Sequence, residues 1–116
     1  MKNPVATAPG SDKSVLIVLT TTSDAGEAET LAGKLVAAKL AACVQIMPPM
    51  TSVYFWEGKI RNEAEHLLVI KTLPETFDEL EAFIKANHSY SVPEIVAIRA
   101  ERVSEDYLGW MKKSMR

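Results

Sequence analysis

The stretch TSVYFWEGKIRNEAEHLLVIKT, residues 51–72, decides the fold. It reads as a long hairpin. Glu57-Gly58 is the best tight-turn pair within it, because glycine accepts the positive φ such turns require. Side chains alternate along a strand, so Tyr54 and Trp56 share one face and Phe55 takes the other.

Working upstream, ACVQIM (42–47) is a further strand, interrupted by Pro48-Pro49. SDAGEAETLAGKLVAAKLAA (23–42) predicts a helix. Asp24 suits its N-cap, with Glu27 reaching back as in a capping box. Ala28, Leu31, Ala32, Leu35 and Val36 make one apolar face at helical spacing. SVLIVLTTT (14–22) is β-branched and apolar, and reads as the first strand.

Downstream, LPETFDELEAFIKANH (73–88) predicts a second helix. Pro74 suits its first turn, and Glu75, Asp78 and Glu79 favour its positive end. Phe77, Leu80, Phe83 and Ile84 are expected to face inward, and Asn87 is a natural C-cap because it tolerates the left-handed conformation. PEIVAIRAERV (93–103) is a last strand. SEDYLGWMKKSMR (104–116) predicts a short helix with Tyr107, Trp110 or Met111, and Met115 on one side. The order β-α-β-β-α-β plus a terminal helix is the α+β, ferredoxin-like pattern: an antiparallel sheet with two helices on one face. Residues 1–13 are polar, rich in Pro, Gly and Ser, and expected to be a flexible tail; 14–116 is expected to be a single domain.

Three apolar runs break the alternation of a one-sided sheet: VLIVL (15–19), LLVI (67–70) and IVAI (95–98). They imply burial on both faces. The terminal helix hides only part of the second face. Either the long hairpin folds back over the rest, or another subunit covers it. The second reading also protects the strand edges, since the hairpin is long enough to pair with a neighbour.

Composition narrows function by exclusion. With 116 residues and 47% apolar content the chain can bury a core of its own. The net charge is -2, with no basic block of the kind nucleic-acid binding needs. A single cysteine, Cys43, excludes an internal disulfide and a cysteine-rich zinc site. In its apolar strand it is expected to be a buried, inert thiol. There is no apolar signal core, and no stretch approaching the ~20 residues of a membrane span. A cytoplasmic protein without membrane association is expected. Neither GxxxxGK[ST] nor G-x-S-x-G occurs, and no nucleophile–base pair is recognisable, so an enzyme is not expected.

The segment NHSYSVPEIVAI (87–98) carries the candidate chemistry. His88 and Tyr90 are two apart in an extended segment and point the same way. Glu94 stands at the mouth of the last strand. Imidazole with carboxylate suits copper or zinc, so His88 and Glu94 are candidate metal ligands. The alternative is that His88 and Tyr90 hydrogen-bond the helix end and Glu94 is a polar lip. His66 is expected to be a solvated or interface residue. Tyr54 and Trp56 are expected to pack in the core or at an interface; the functional alternative is that they form a pocket wall.

KLAACVQIMPPMTSVYFWEGKI, LLVIKT, FIKANHSYSVPEIVAI and YLGW, in that order, resemble the CutA family of divalent-cation tolerance proteins over roughly residues 14 to 112. The resemblance implies a ferredoxin-like homotrimer, similar to PII signalling proteins. It also implies a role in the response to divalent metals, with copper binding, no required cofactor and no established reaction. In such trimers the hairpin and the His-x-Tyr-x-x-Pro-Glu segment lie near the subunit boundary, which implies that Tyr54, Trp56, Lys71, His88, Tyr90 and Glu94 line one cleft between subunits. His88, Tyr90, Pro93 and Glu94 match the family's motif; Thr20, Asn87 and Ser89 depart from it, with Thr20 where a ligating cysteine is proposed. A hydroxyl is a poor ligand where a thiolate is a good one, so copper binding is expected to be weak or to use other groups. A PII-like sensor of a small ligand and a trimeric scaffold for a protein partner are the competing functions.

Overall fold

The computed structural model describes residues 13–116. The tail expected over residues 1–13 therefore lies, apart from Lys13, outside the described residues. The chain runs β1 (Leu16–Thr22), α1 (Ala25–Ala37), β2 (Cys43–Ile46), β3 (Met50–Trp56), β4 (Lys59–Thr72), a 3-10 turn (Pro74–Thr76), α2 (Phe77–Ala86), β5 (Val96–Arg99) and α3 (Glu105–Ser114). This is the expected ferredoxin-like order. The sheet order is β2-β4-β1-β5, β3 also pairs with β4, and every pairing is antiparallel.

The turn at the tip has the predicted chemistry. Glu57 and Gly58 both take positive φ, 50° and 79°, which matches the right-handed twist of a two-residue hairpin. At the other end of the arm the diproline explains why one long strand has two partners. Ile46 pairs with Leu68, and Met47 N–H still donates to the Leu67 carbonyl at 2.9 Å. Pairing resumes only with Met50 opposite Glu65. Pro48 and Pro49, which have no N–H, thus stand against the single residue His66, as in a bulge. The His66 ring fills the gap, with Nδ1 at 3.2 Å from the Met47 carbonyl.

Register decides which residues are core. Val18 pairs with Ile70 and Thr20 with Leu68, so these share the face that α1 and α2 cover. Val18, Leu68 and Ile70 pack there against Ala28, Leu31, Leu35, Leu80 and Ile84. Removing each large aliphatic side chain from water contributes roughly 1.5–3 kcal/mol. α1 starts as predicted, with the Glu27 N–H donating to Asp24 Oδ1 at 2.7 Å. The capping box does not close: Glu27 turns its carboxylate to Ser89 instead. Val36, expected on the apolar face, is exposed. Asn87 does cap α2, but at φ -122° rather than in the left-handed region. Its Nδ2 donates to the Phe83 carbonyl, which satisfies the helix end another way.

The second face carries a smaller cluster at one end, where α3 brings Leu108 and Met111 onto Val15, Ala42 and Leu73. Of Trp110 and Met111, it is Met111 that faces inward with Leu108; Trp110 is exposed. Beyond α3 the face is open. Ile17 pairs with Ile98, and Leu19 with both Val69 and Val96. Val96 and Ile98 are each 48% exposed, although the strand reads as a buried one. The hairpin does not fold back to cover them: Val53, Phe55 and Ile60 on its arm are themselves exposed. Cys43 is only half-buried, because β2 is an edge strand.

Candidate ligand cleft

The open face ends in a cleft of about 640 Å³ where β1, the hairpin arm and residues 90–94 meet. Register builds its walls. Ser52, Tyr54 and Trp56 oppose Glu63, Arg61 and Lys59, so they share the β4 face that carries Glu65. Thr21 pairs with Leu67 on that same face. Tyr54, Trp56, Glu65, Tyr90 and Glu94 all line the cleft.

A hydrogen-bonded strut stands behind it. The His88 side chain is completely buried. Its Nε2 lies 2.6 Å from the Thr21 carbonyl, which can only accept, so Nε2 carries the proton. Nδ1 accepts the Tyr90 N–H at 3.0 Å. Both ring nitrogens are thus committed in the neutral tautomer. Glu27 Oε2 lies 3.7 Å from Nδ1, but that carboxylate accepts from Ser89 N–H at 2.9 Å and Ser89 Oγ at 3.0 Å. Glu27 so ties α1 to the segment after α2.

Tyr90 carries the strut into the cleft. Its hydroxyl donates to Glu65 Oε2 at 2.6 Å, and Thr21 Oγ1 donates to the same oxygen at 3.2 Å. Thr21 therefore serves twice, holding His88 with its carbonyl and Glu65 with its hydroxyl. Burial, and next the bond to Glu65, push the Tyr90 hydroxyl well above the usual tyrosine range, so it stays a donor.

Of the residues expected to act together, the structure assembles Tyr54, Trp56, Tyr90 and Glu94. His88, a metal-ligand candidate from sequence, is placed behind the cleft with both ring nitrogens hydrogen-bonded. Lys71 does not line this cleft within the single chain. It lies six residues along β4 from Glu65, about 20 Å away, and sits over the Tyr107 ring of α3. Thr20 faces the helices rather than the cleft, and its buried hydroxyl has no hydrogen-bond partner. Glu65 and Thr21 were not singled out from sequence, and Glu27 was read only as part of a capping box. The signal for Glu65 was its parity: residues 65, 67 and 69 share a face, so a carboxylate continues an apolar row.

Among the described residues no group of three or more His, Cys, Asp or Glu is placed to hold a metal ion. Nor, among the described residues, is any helix long and apolar enough to cross a membrane.

Comparison with known proteins puts these residues in context. The family described as CutA1 divalent ion tolerance protein matches residues 16–114. The chain is 44% identical to "Protein CutA 1, chloroplastic" of Oryza sativa over 87% of its own length, but spans only 57% of that rice protein. It is 41% identical to the divalent-cation tolerance protein CutA of Thermus thermophilus, covering 84% of this chain and 95% of that one. It superimposes on the periplasmic divalent cation tolerance protein CutA of Archaeoglobus fulgidus with a TM-score of 0.85 and 38% identity, over 88% of this chain and 99% of the other.

Proposed function

The chain belongs to the CutA1 divalent ion tolerance family, and from that premise we propose that it serves divalent-ion tolerance as a non-enzymatic homotrimer whose clefts hold cations weakly. The observation that carries this reading is the charge of the cleft: among the described residues, the only charged side chains lining it are Glu65 and Glu94. A soft, copper-selective cage does not fit the residues present. Thr20 stands where a thiolate is wanted and faces the core, and both nitrogens of His88 are taken. Carboxylate and hydroxyl oxygens remain, with Glu94 as the exposed donor. Oxygen donors suit hard and borderline divalent ions, and two carboxylates give modest affinity.

Trimer formation is supported by the open apolar face, which joins Leu19, Leu67, Val69, Val96 and Ile98 beside an exposed hairpin arm. A second copy that buried this face would also cover strand edges. The number three is what the family likeness implies.

A PII-like sensor of anionic nucleotides is disfavoured by the same carboxylates, because among the described residues no Lys or Arg lines the cleft to meet a phosphate. A cytoplasmic location rests only on the lone cysteine and the apolar patterning, while relatives carry chloroplastic and periplasmic names.

Calorimetric titration with zinc and copper, alongside light scattering, tests the reading. It predicts weak, saturable metal binding that Glu94→Gln reduces, and a mass of three chains. Metal binding unaffected by Glu94→Gln, or a monomer at micromolar concentration, contradicts it.

A further inference from the structure

We infer that the cleft is also a binding site for a small organic cation of the guanidinium class, seated between the aromatic wall of β3 and the Glu94 carboxylate. The inference rests on the reading of the cleft as a cation site and adds a ligand class that a metal ion does not share.

Three features point to this ligand. The first is size: about 640 Å³ is far more room than a single ion needs and falls within the range of small-molecule sites. The second is the wall. Tyr54 and Trp56 stand on one strand face with Val53 and Val92 nearby. Aromatic faces attract a cation through their negative quadrupole, and a planar, weakly hydrated guanidinium also stacks on them. A hydrated metal ion gains little from such a wall. The third is the acceptor set. Both hydrogen bonds to Glu65 end on Oε2, so Oε1 keeps its lone pairs. Glu94 is exposed and has two acceptor oxygens of its own. Among the described residues no Lys, Arg or His lines the cleft; Arg61 and Lys59, across from Tyr54 and Trp56, lie outside its lining, with Arg61 paired to Glu57 at 3.8 Å. A guanidinium presents a fixed fork of N–H donors that matches a carboxylate, while its alkyl tail meets the valines.

The test uses Trp56 emission in the full chain carrying Trp110→Phe, which leaves one tryptophan. The probes are butylguanidine and butylurea, equally planar and of similar shape but differing in charge. Butylguanidine should change the emission saturably and bind at least about tenfold tighter than butylurea, and Glu94→Gln should weaken it about tenfold while keeping the side chain's shape. Equal binding of the two probes, indifference to Glu94→Gln, or no saturable change up to about 10 mM overturns the inference. Zinc calorimetry on the same samples separates the two readings. Zinc binding without butylguanidine binding defeats only this inference; butylguanidine binding without metal binding defeats only the metal reading.

Discussion

The Tyr90 hydroxyl donates a 2.6 Å hydrogen bond to Glu65 Oε2, fastening the segment after α2 to the hairpin arm. Tyr90→Phe removes this bond and leaves a buried carboxylate with Thr21 as its remaining side-chain donor. We predict a loss of about 2 kcal/mol, the usual scale for a hydrogen bond to a charged group. Denaturant midpoints of the two proteins measure it, and an unchanged midpoint counts against the strut.

The same pair has a pH signature. An unfolded tyrosine ionises near pH 10, whereas folded Tyr90 keeps its proton to higher pH because of burial and the Glu65 bond. A raised folded value means that the contribution is complete below about pH 10 and is lost as pH rises through the folded value. From about pH 10 up to the raised folded value, wild type is predicted to lose stability more steeply than Tyr90→Phe. Parallel stability–pH curves for the two would contradict this.

Thr20 offers an opposite case. Its hydroxyl is buried without a partner among the residues that α1 and α2 cover. Thr20→Val keeps the shape and removes the unpaired group. It should stabilise the protein by about 1 kcal/mol, read as a raised midpoint in urea. Thr20→Cys should give a thiol slow to react with an exposed-thiol reagent, since the position faces the core and not the cleft. A rapidly labelled thiol would show that Thr20 reaches the cleft after all.

Parity along β4 separates folding from assembly. Leu68 and Ile70 are fully buried under the helices, and Val69 between them faces the open side. Leu68→Glu buries an unpaired charge in the core, so it should unfold the chain; the cost is several kcal/mol, comparable to a domain's whole stability. Val69→Glu should instead leave a folded subunit of lower mass. Circular dichroism and light scattering on both variants read the difference. A Val69→Glu protein that keeps the wild-type mass removes the open face as an interface.

The element order was legible because its punctuation is local. Glu57-Gly58, Pro48-Pro49, Asp24 and Pro74 each mark a boundary through their own backbone chemistry. The continuous apolar runs also carried real information, since β5 looks buried in sequence and is exposed in the lone chain. The cleft was legible only in part. Tyr54 and Trp56 follow from strand alternation, and Tyr90 and Glu94 from their place beside β5. The role of His88 was not legible, because the Thr21 carbonyl that its Nε2 meets lies more than sixty residues away and both of its ring bonds are to backbone atoms. Glu27 was misassigned for a related reason: local capping rules cannot see Ser89. Lys71 shares a strand face with Glu65, but parity alone does not tell which end of a 14-residue strand meets the cleft.

The central claim is that cations meet this protein at Glu94, with His88 as the strut behind. Zinc and copper titration of wild type, Glu94→Gln and His88→Gln, side by side, tests it most directly. Glutamine at 88 keeps a side-chain N–H to donate to the Thr21 carbonyl but has no imidazole to bind metal. The account predicts that Glu94→Gln weakens binding while a folded His88→Gln protein binds as wild type does. Loss of binding in His88→Gln with retention in Glu94→Gln would contradict it.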